Sequence, residues 1–242
     1  MVFFLLFSPI AYTRKNAPNL KTLNYDSIIT LTLKGGENQK ILYNTFQPLP
    51  YKIEINGDVL EPLSITVNLP EENDEYIIIM KFDKPVNSTY NMFANLNSNI
   101  IKIDLSNFDF SQVTEMKFMF NSCKNLEYIN FTNINTSLVR GMSDLFMDCY
   151  KLTSLDLSSF DTSLVTDMTF MFYGCSSLSS LDLSNFNTKK VESMNHIFQG
   201  CMNLTWVDLS SFDTSSVTWI AGMFKNCYNL QTYSPYFQHW MY

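Results

Sequence analysis

From Ile100 onward, apolar residues recur in files that keep one fixed step. Cys123, Cys149, Cys175, Cys201 and Cys227 lie 26 residues apart, as do Phe120, Phe146, Phe172, Phe198 and Phe224. Val113, Val139, Val165, Val191 and Val217 form a third file, and Leu126, Leu152, Leu178, Leu204 and Leu230 a fourth, with Ile100 one period earlier. A single unit of this length cannot bury its own apolar face, so the copies must pack on one another as a repeat array.

Within one unit the spacing changes character. Leu152 to Ser158 ends in a period-2 alternation, which predicts a short strand. Val165, Met168, Met171, Phe172 and Cys175 follow as the apolar stripe of a short helix, and Phe160-Asp161-Thr162-Ser163 between them is turn chemistry. The expected fold class is therefore α/β: a leucine-rich-repeat-like solenoid of about five 26-residue strand-turn-helix coils, preceded by a small β-rich cap. Strands about 4.8 Å apart and helices about 8–10 Å apart would bend such a stack into an arc with the strands on its concave face.

Residues 24–86 lack the period and read as the β-rich cap. Ile29 to Leu33 alternates, Gly35-Gly36 is a turn signal, and Tyr51, Ile53 and Ile55 alternate up to Asn56-Gly57, a hairpin pair. Residues 64–69 and 76–82 complete about five strands; a separate ligand-binding β domain is the alternative reading. The solenoid is assigned to 87–242 and ends in a ring-rich tail, Tyr233 to Tyr242, that either covers the last coil or leads into further coils. Residues 1–23 form a leader. Its apolar run from Val2 to Tyr12 is about half the length of a membrane-spanning helix and suits a signal peptide, the alternative being an N-terminal strand.

The stretches Leu155-Asp-Leu-Ser-Ser-Phe-Asp-Thr-Ser-Leu-Val-Thr-Asp-Met168 and Met171-Phe-Tyr-Gly-Cys-Ser-Ser-Leu178 carry a specific likeness. They resemble the 26-residue variety of the BspA-like leucine-rich-repeat surface proteins, over Met92 to Leu230. The resemblance implies an extracellular or cell-surface repeat protein associated with adhesion and host or matrix contact, and no enzyme. Met92-Phe93 stand one residue out of register, Asn97 takes the cysteine position, and Phe131, Ile134 and Arg140 also depart from the pattern.

Charge narrows the partners. Only 16% of residues are charged and the net charge is -7, with no basic run, which excludes nucleic acid as the expected partner. The two histidines, His196 and His239, lie far apart, and no phosphate loop, nucleophile elbow or metalloprotease motif occurs, so no catalytic residue and no cofactor are expected. The cysteine file runs along a line rather than converging, which reads as buried structural thiols and not as a metal centre. Asp104, Asn130, Asp156, Asp182 and Asp208, together with Asp109, Asn135, Asp161, Asn187 and Asp213, mix Asp and Asn, so acceptor oxygens for backbone bonding are expected ahead of calcium ligands.

The outward file Lys102, Tyr128, Ser154, Ser180, Trp206 and Thr232, beside Ile101, Glu127, Thr153, Ser179, Thr205 and Gln231, is the expected binding surface on the concave face. Tyr128 and Trp206 are its expected anchors for a protein or glycan. Asn87, Asn130, Asn135 and Asn203 open glycosylation sequons. No later apolar segment is long enough to cross a bilayer, so a membrane anchor is not visible in the chain. A secreted or surface adhesion protein is the leading expectation; an intracellular scaffold without an external ligand is the rival.

Overall fold

The computed structural model describes residues 27–71, 75–96 and 99–231. Ahead of the repeats lie β1 (Ser27–Leu33), β2 (Gly36–Lys40), β3 (Lys52–Ile55), β4 (Asp58–Val59), β5 (Thr66–Leu69) and β6 (Tyr76–Phe82). β1 and β6 pair antiparallel and bury every second side chain, among them Ile29, Leu31, Ile78 and Met80. Asn56 and Gly57 join β3 to β4 with φ of 50° and 92°, the left-handed geometry that a two-residue hairpin needs. β2, absent from the sequence expectation, begins at Gly36 and pairs with β5.

The repeats contribute β7 (Ile100–Asn107), β8 (Tyr128–Asn130), β9 (Ser180–Asp182) and β10 (Trp206–Asp208). β1 pairs with both β6 and β7, and β7 pairs parallel with β8. One six-stranded sheet, β4-β3-β6-β1-β7-β8, thus runs from the N-terminal strands into the repeats. β9 and β10 form a separate parallel pair, and the equivalent segment 154–156 is not a strand.

The helices expected in every coil are absent: no described residue is helical, which overturns the α/β strand-turn-helix assignment. Each Met-Phe-Cys segment instead makes consecutive tight turns. Met119, Asn121 and Cys123 donate their N–H groups three residues back within the coil. Met116, Phe118, Phe120 and Ser122 donate to the carbonyls of Gly141, Ser143, Leu145 and Met147 in the next coil. Every fourth residue of these segments is left-handed, at Phe118 and Ser122, Asp144 and Asp148, Phe170 and Gly174, His196 and Gly200, and Gly222 and Asn226, with φ between 55° and 79°. An α-helix cannot pass through such residues.

Exporting alternate N–H groups solves a spacing problem. A helix keeps its bonds internal and stands about 8–10 Å from its neighbour, whereas bonded strands lie about 4.8 Å apart. Hydrogen-bonding the turns across coils lets both flanks stack at one step. The mismatch that was expected to bend the array, and to make the strand face concave, is thereby removed.

The turn flank is continuous. Parallel bridges link Ser88, Glu115, Gly141, Asp167, Ser193 and Trp219 in succession. A second ladder of opposite direction runs through Thr114, Arg140, Thr166, Glu192 and Thr218. Inside, Phe93, Phe120, Phe146, Phe172, Phe198 and Phe224 stack with centroids 5.4–5.7 Å apart and planes within 14° of parallel. Phe93 enters this stack although it is one residue out of the period. Phe131 and Ile134 exchange sizes relative to other coils: Phe131 fills the interior, edge-on to Phe120, Phe146 and Phe160, where Ile134 replaces a phenylalanine. Such volume-conserving exchanges preserve a packed core.

Candidate functional site

The strand flank carries the expected surface file. Lys102 stands in register with Tyr128, and Ser180 with Trp206, with exposed Ser154 between the two pairs. Tyr128 is 51% exposed and Trp206 41%. Thr232, the last member, lies outside the described residues. In the neighbouring file Glu127, Thr153, Ser179, Thr205 and Gln231 face solvent, but Ile101 is buried and does not belong to the surface.

This flank is bonded less evenly than the turn flank. Glu127 donates to the Ile101 carbonyl at 2.9 Å, Thr205 to Ser179 at 2.9 Å and Gln231 to Thr205 at 3.1 Å. Ser179 reaches Thr153 only at 3.4 Å, and among the described residues the Thr153 N–H makes no bond to Glu127.

Both Asx files bond backbone two residues ahead. Oδ1 of Asp104, Asn130, Asp156, Asp182 and Asp208 accepts the N–H of Ser106, Thr132, Ser158, Ser184 and Ser210 at 2.8–3.0 Å. Asp109, Asn135, Asp161, Asn187 and Asp213 do the same at 2.8–3.2 Å. Hydrogen bonds from Ser158 and Ser163 lower the pKa of Asp156 and Asp161, and those from Ser184 and Ser215 lower Asp182 and Asp213. No grouping of three or more His, Cys, Asp or Glu suited to a metal ion occurs among the described residues.

The sequon residues divide. Asn87 and Asn203 are exposed. Asn130 and Asn135 each accept the hydroxyl of their own sequon, Thr132 and Ser137, at 2.7 Å.

All five cysteines are free thiols. Each Sγ–H donates to the carbonyl of the stacked phenylalanine one coil earlier, from Cys123 to Phe93 at 3.2 Å through Cys227 to Phe198 at 2.9 Å. Burial pushes Cys123 and Cys175 up to about 12 and Cys227 to about 11, and holds Cys149 and Cys201 well above the ordinary thiol value. A thiol held protonated is neither a nucleophile nor a metal ligand.

Two features escaped the sequence reading. Buried Thr136, Thr162 and Thr188 each donate their hydroxyl to an Asx carbonyl of the next coil and accept that residue's N–H, the latter at 2.8 Å each time. Their regular recurrence beside the Asx file was the available signal. On the turn flank, Lys117 reaches Glu115 at 3.8 Å and Asp167 at 3.9 Å, over Gly141, where a Cβ would strike both Glu115 and Lys117. Asp144, beside this group, is raised to about 6, chiefly by burial and further by the charge of Asp167, against a Ser143 hydrogen bond and Lys117. His196 stacks on Phe170 at 5.1 Å with its buried Nδ1 unbonded, and His239 lies outside the described residues.

The model of a family described as "Mycoplasma protein of unknown function, DUF285" matches residues 87–203 and again 156–240. Together the matches cover 87–240, well over half of the 242 residues. The chain belongs to the DUF285 family. The match to DUF285 begins beside Ser88, the first member of the turn-flank bridges, and leaves β1 to β6 outside it. No curated protein and no solved structure matches the chain. No described helix is long and apolar enough to cross a membrane.

Proposed function

We propose that this DUF285 chain is a non-catalytic surface or secreted repeat protein that binds a macromolecular partner, protein or glycan, through its strand flank. The observation that carries this reading is the pair of half-exposed rings, Tyr128 and Trp206, on a bonded framework in a file otherwise made of small or polar residues. Rings held on ordered backbone lose little entropy when a partner covers them. The likeness of the repeat to BspA-like surface proteins supports the same placement and an adhesive role. The partner surface need not be convex, because the coils have no helical side to force curvature.

Binding of the purified chain to cells or extracellular matrix, compared with the Tyr128→Ala Trp206→Ala variant, tests the reading. The double variant is expected to fold normally and lose at least tenfold in affinity. Unchanged binding would remove the two rings as anchors. Surface labelling of intact cells of the source organism tests the location separately.

A further inference from the structure

Beside the strand flank, where the N-terminal strands meet the repeats, lies a groove of about 540 Å³. Its walls come from separate elements: Lys34 follows β1, Glu71 and Glu75 lie between β5 and β6, Ile101 is on β7, Glu127 precedes β8, and Lys151 belongs to the next coil. The volume is within the ordinary range for ligand sites, roughly 300–1,000 Å³.

The charges in it are the informative part. Glu75 is engaged by Lys102 at 3.7 Å. Lys34, Lys151, Glu71 and Glu127 make no ion pair among the described residues, although they line one cavity with opposite signs. Cations and carboxylates that come from different elements around a shared space offer a ligand charges of both signs that no ion pair already neutralises. A short peptide carries side chains of both signs on one backbone and so matches a lining of this kind.

We propose that this groove binds an extended peptide segment of a few residues carrying both a basic and an acidic side chain. The inference rests on reading the strand flank as a binding surface only in that it makes the partner a protein, gripped here beside Tyr128.

The test is calorimetric titration of the full chain with capped synthetic tetrapeptides: Lys-Gly-Ala-Glu, Lys-Gly-Ala-Lys, Glu-Gly-Ala-Glu and Ser-Gly-Ala-Ser. The mixed-charge peptide is expected to bind at least tenfold more tightly than any of the others. It should weaken in high salt and lose about tenfold in each of Glu127→Gln and Lys151→Gln, exposed positions whose variants are checked by thermal melting. Lys34→Gln is the substitute if either melts early. Equal affinity for all four peptides, no binding, or affinity indifferent to these variants would overturn the proposal. Trp206→Ala should leave peptide affinity unchanged, so loss of matrix binding without a mixed-charge preference overturns the groove alone, and the converse overturns the ring-anchored face alone.

Discussion

The two flanks of each coil repeat with the same step, yet they are built differently. On the turn flank, alternate N–H groups cross to the next coil at every level from Asn91 to Gly200, and a column of stacked phenylalanines runs directly behind them. On the strand flank the ladder is regular at β7–β8 and at β9–β10, stretched at Ser179 and broken at Thr153. The contrast teaches where an array of this kind keeps its cohesion. Coupling between coils resides in the shared turns and the ring column, which leaves the strand flank free to vary its outward residues.

Substitutions on the two flanks should therefore differ in cost, and the largest difference is expected in the ring column. Phe172→Ala removes a ring stacked on both sides and should destabilise the chain by about 3–5 kcal/mol in denaturant unfolding. A loss below about 1 kcal/mol would mean that the column does not hold the coils together. Thr162→Val keeps the shape but strands the Asn187 N–H and deletes the reciprocal bond, so about 2 kcal/mol should be lost.

Asp144→Asn runs in the opposite direction. With its pKa raised to about 6 from an ordinary 3.8, Asp144 holds its proton more tightly in the folded chain. Its stabilising contribution is complete below about pH 4 and lost as pH rises through 6. The asparagine variant should be more stable than the parent by about 1–2 kcal/mol at pH 7, and the gain should vanish at pH 4. A gain that persists at pH 4 would point to a cause other than ionisation. Ser180→Ala, on the strand flank, should move stability by less than about 0.5 kcal/mol. Smaller still in energy, though clear in kinetics, native thiols should resist alkylation at pH 8, with half-buried Cys227 reacting first and all five reacting on unfolding.

Much of this arrangement was legible in the residues. The 26-residue period announced the stacked files, the Asp/Asn mixture in two columns pointed to backbone acceptors, and Asn56-Gly57 marked the hairpin. The helix was misread for a physical reason. Successive tight turns place apolar side chains at intervals of three and one, as a short helix does, so spacing does not separate the two. What separates them is the left-handed residue at every fourth position. Phe118, Phe170 and His196 occupy such positions without any sequence sign of it, whereas Gly174, Gly200, Gly222 and Asn226 in the same columns were the readable clue. Ile101 was misplaced because it lies on β7, an inner strand paired with both β1 and β8, and period-2 alternation within the repeat does not foretell that the N-terminal strands join the sheet there. The threonine file passed for turn chemistry, since its reciprocal bonds join residues 25 apart.

Native-state hydrogen exchange resolved by residue tests the shared-turn coupling most directly. Amides of Met142, Asp144, Phe146, Phe170 and Phe172, which donate across coils, should exchange only with global unfolding, while the Thr153 amide exchanges orders of magnitude faster. Fast exchange along the turn flank, or equal protection on both flanks, would contradict the account.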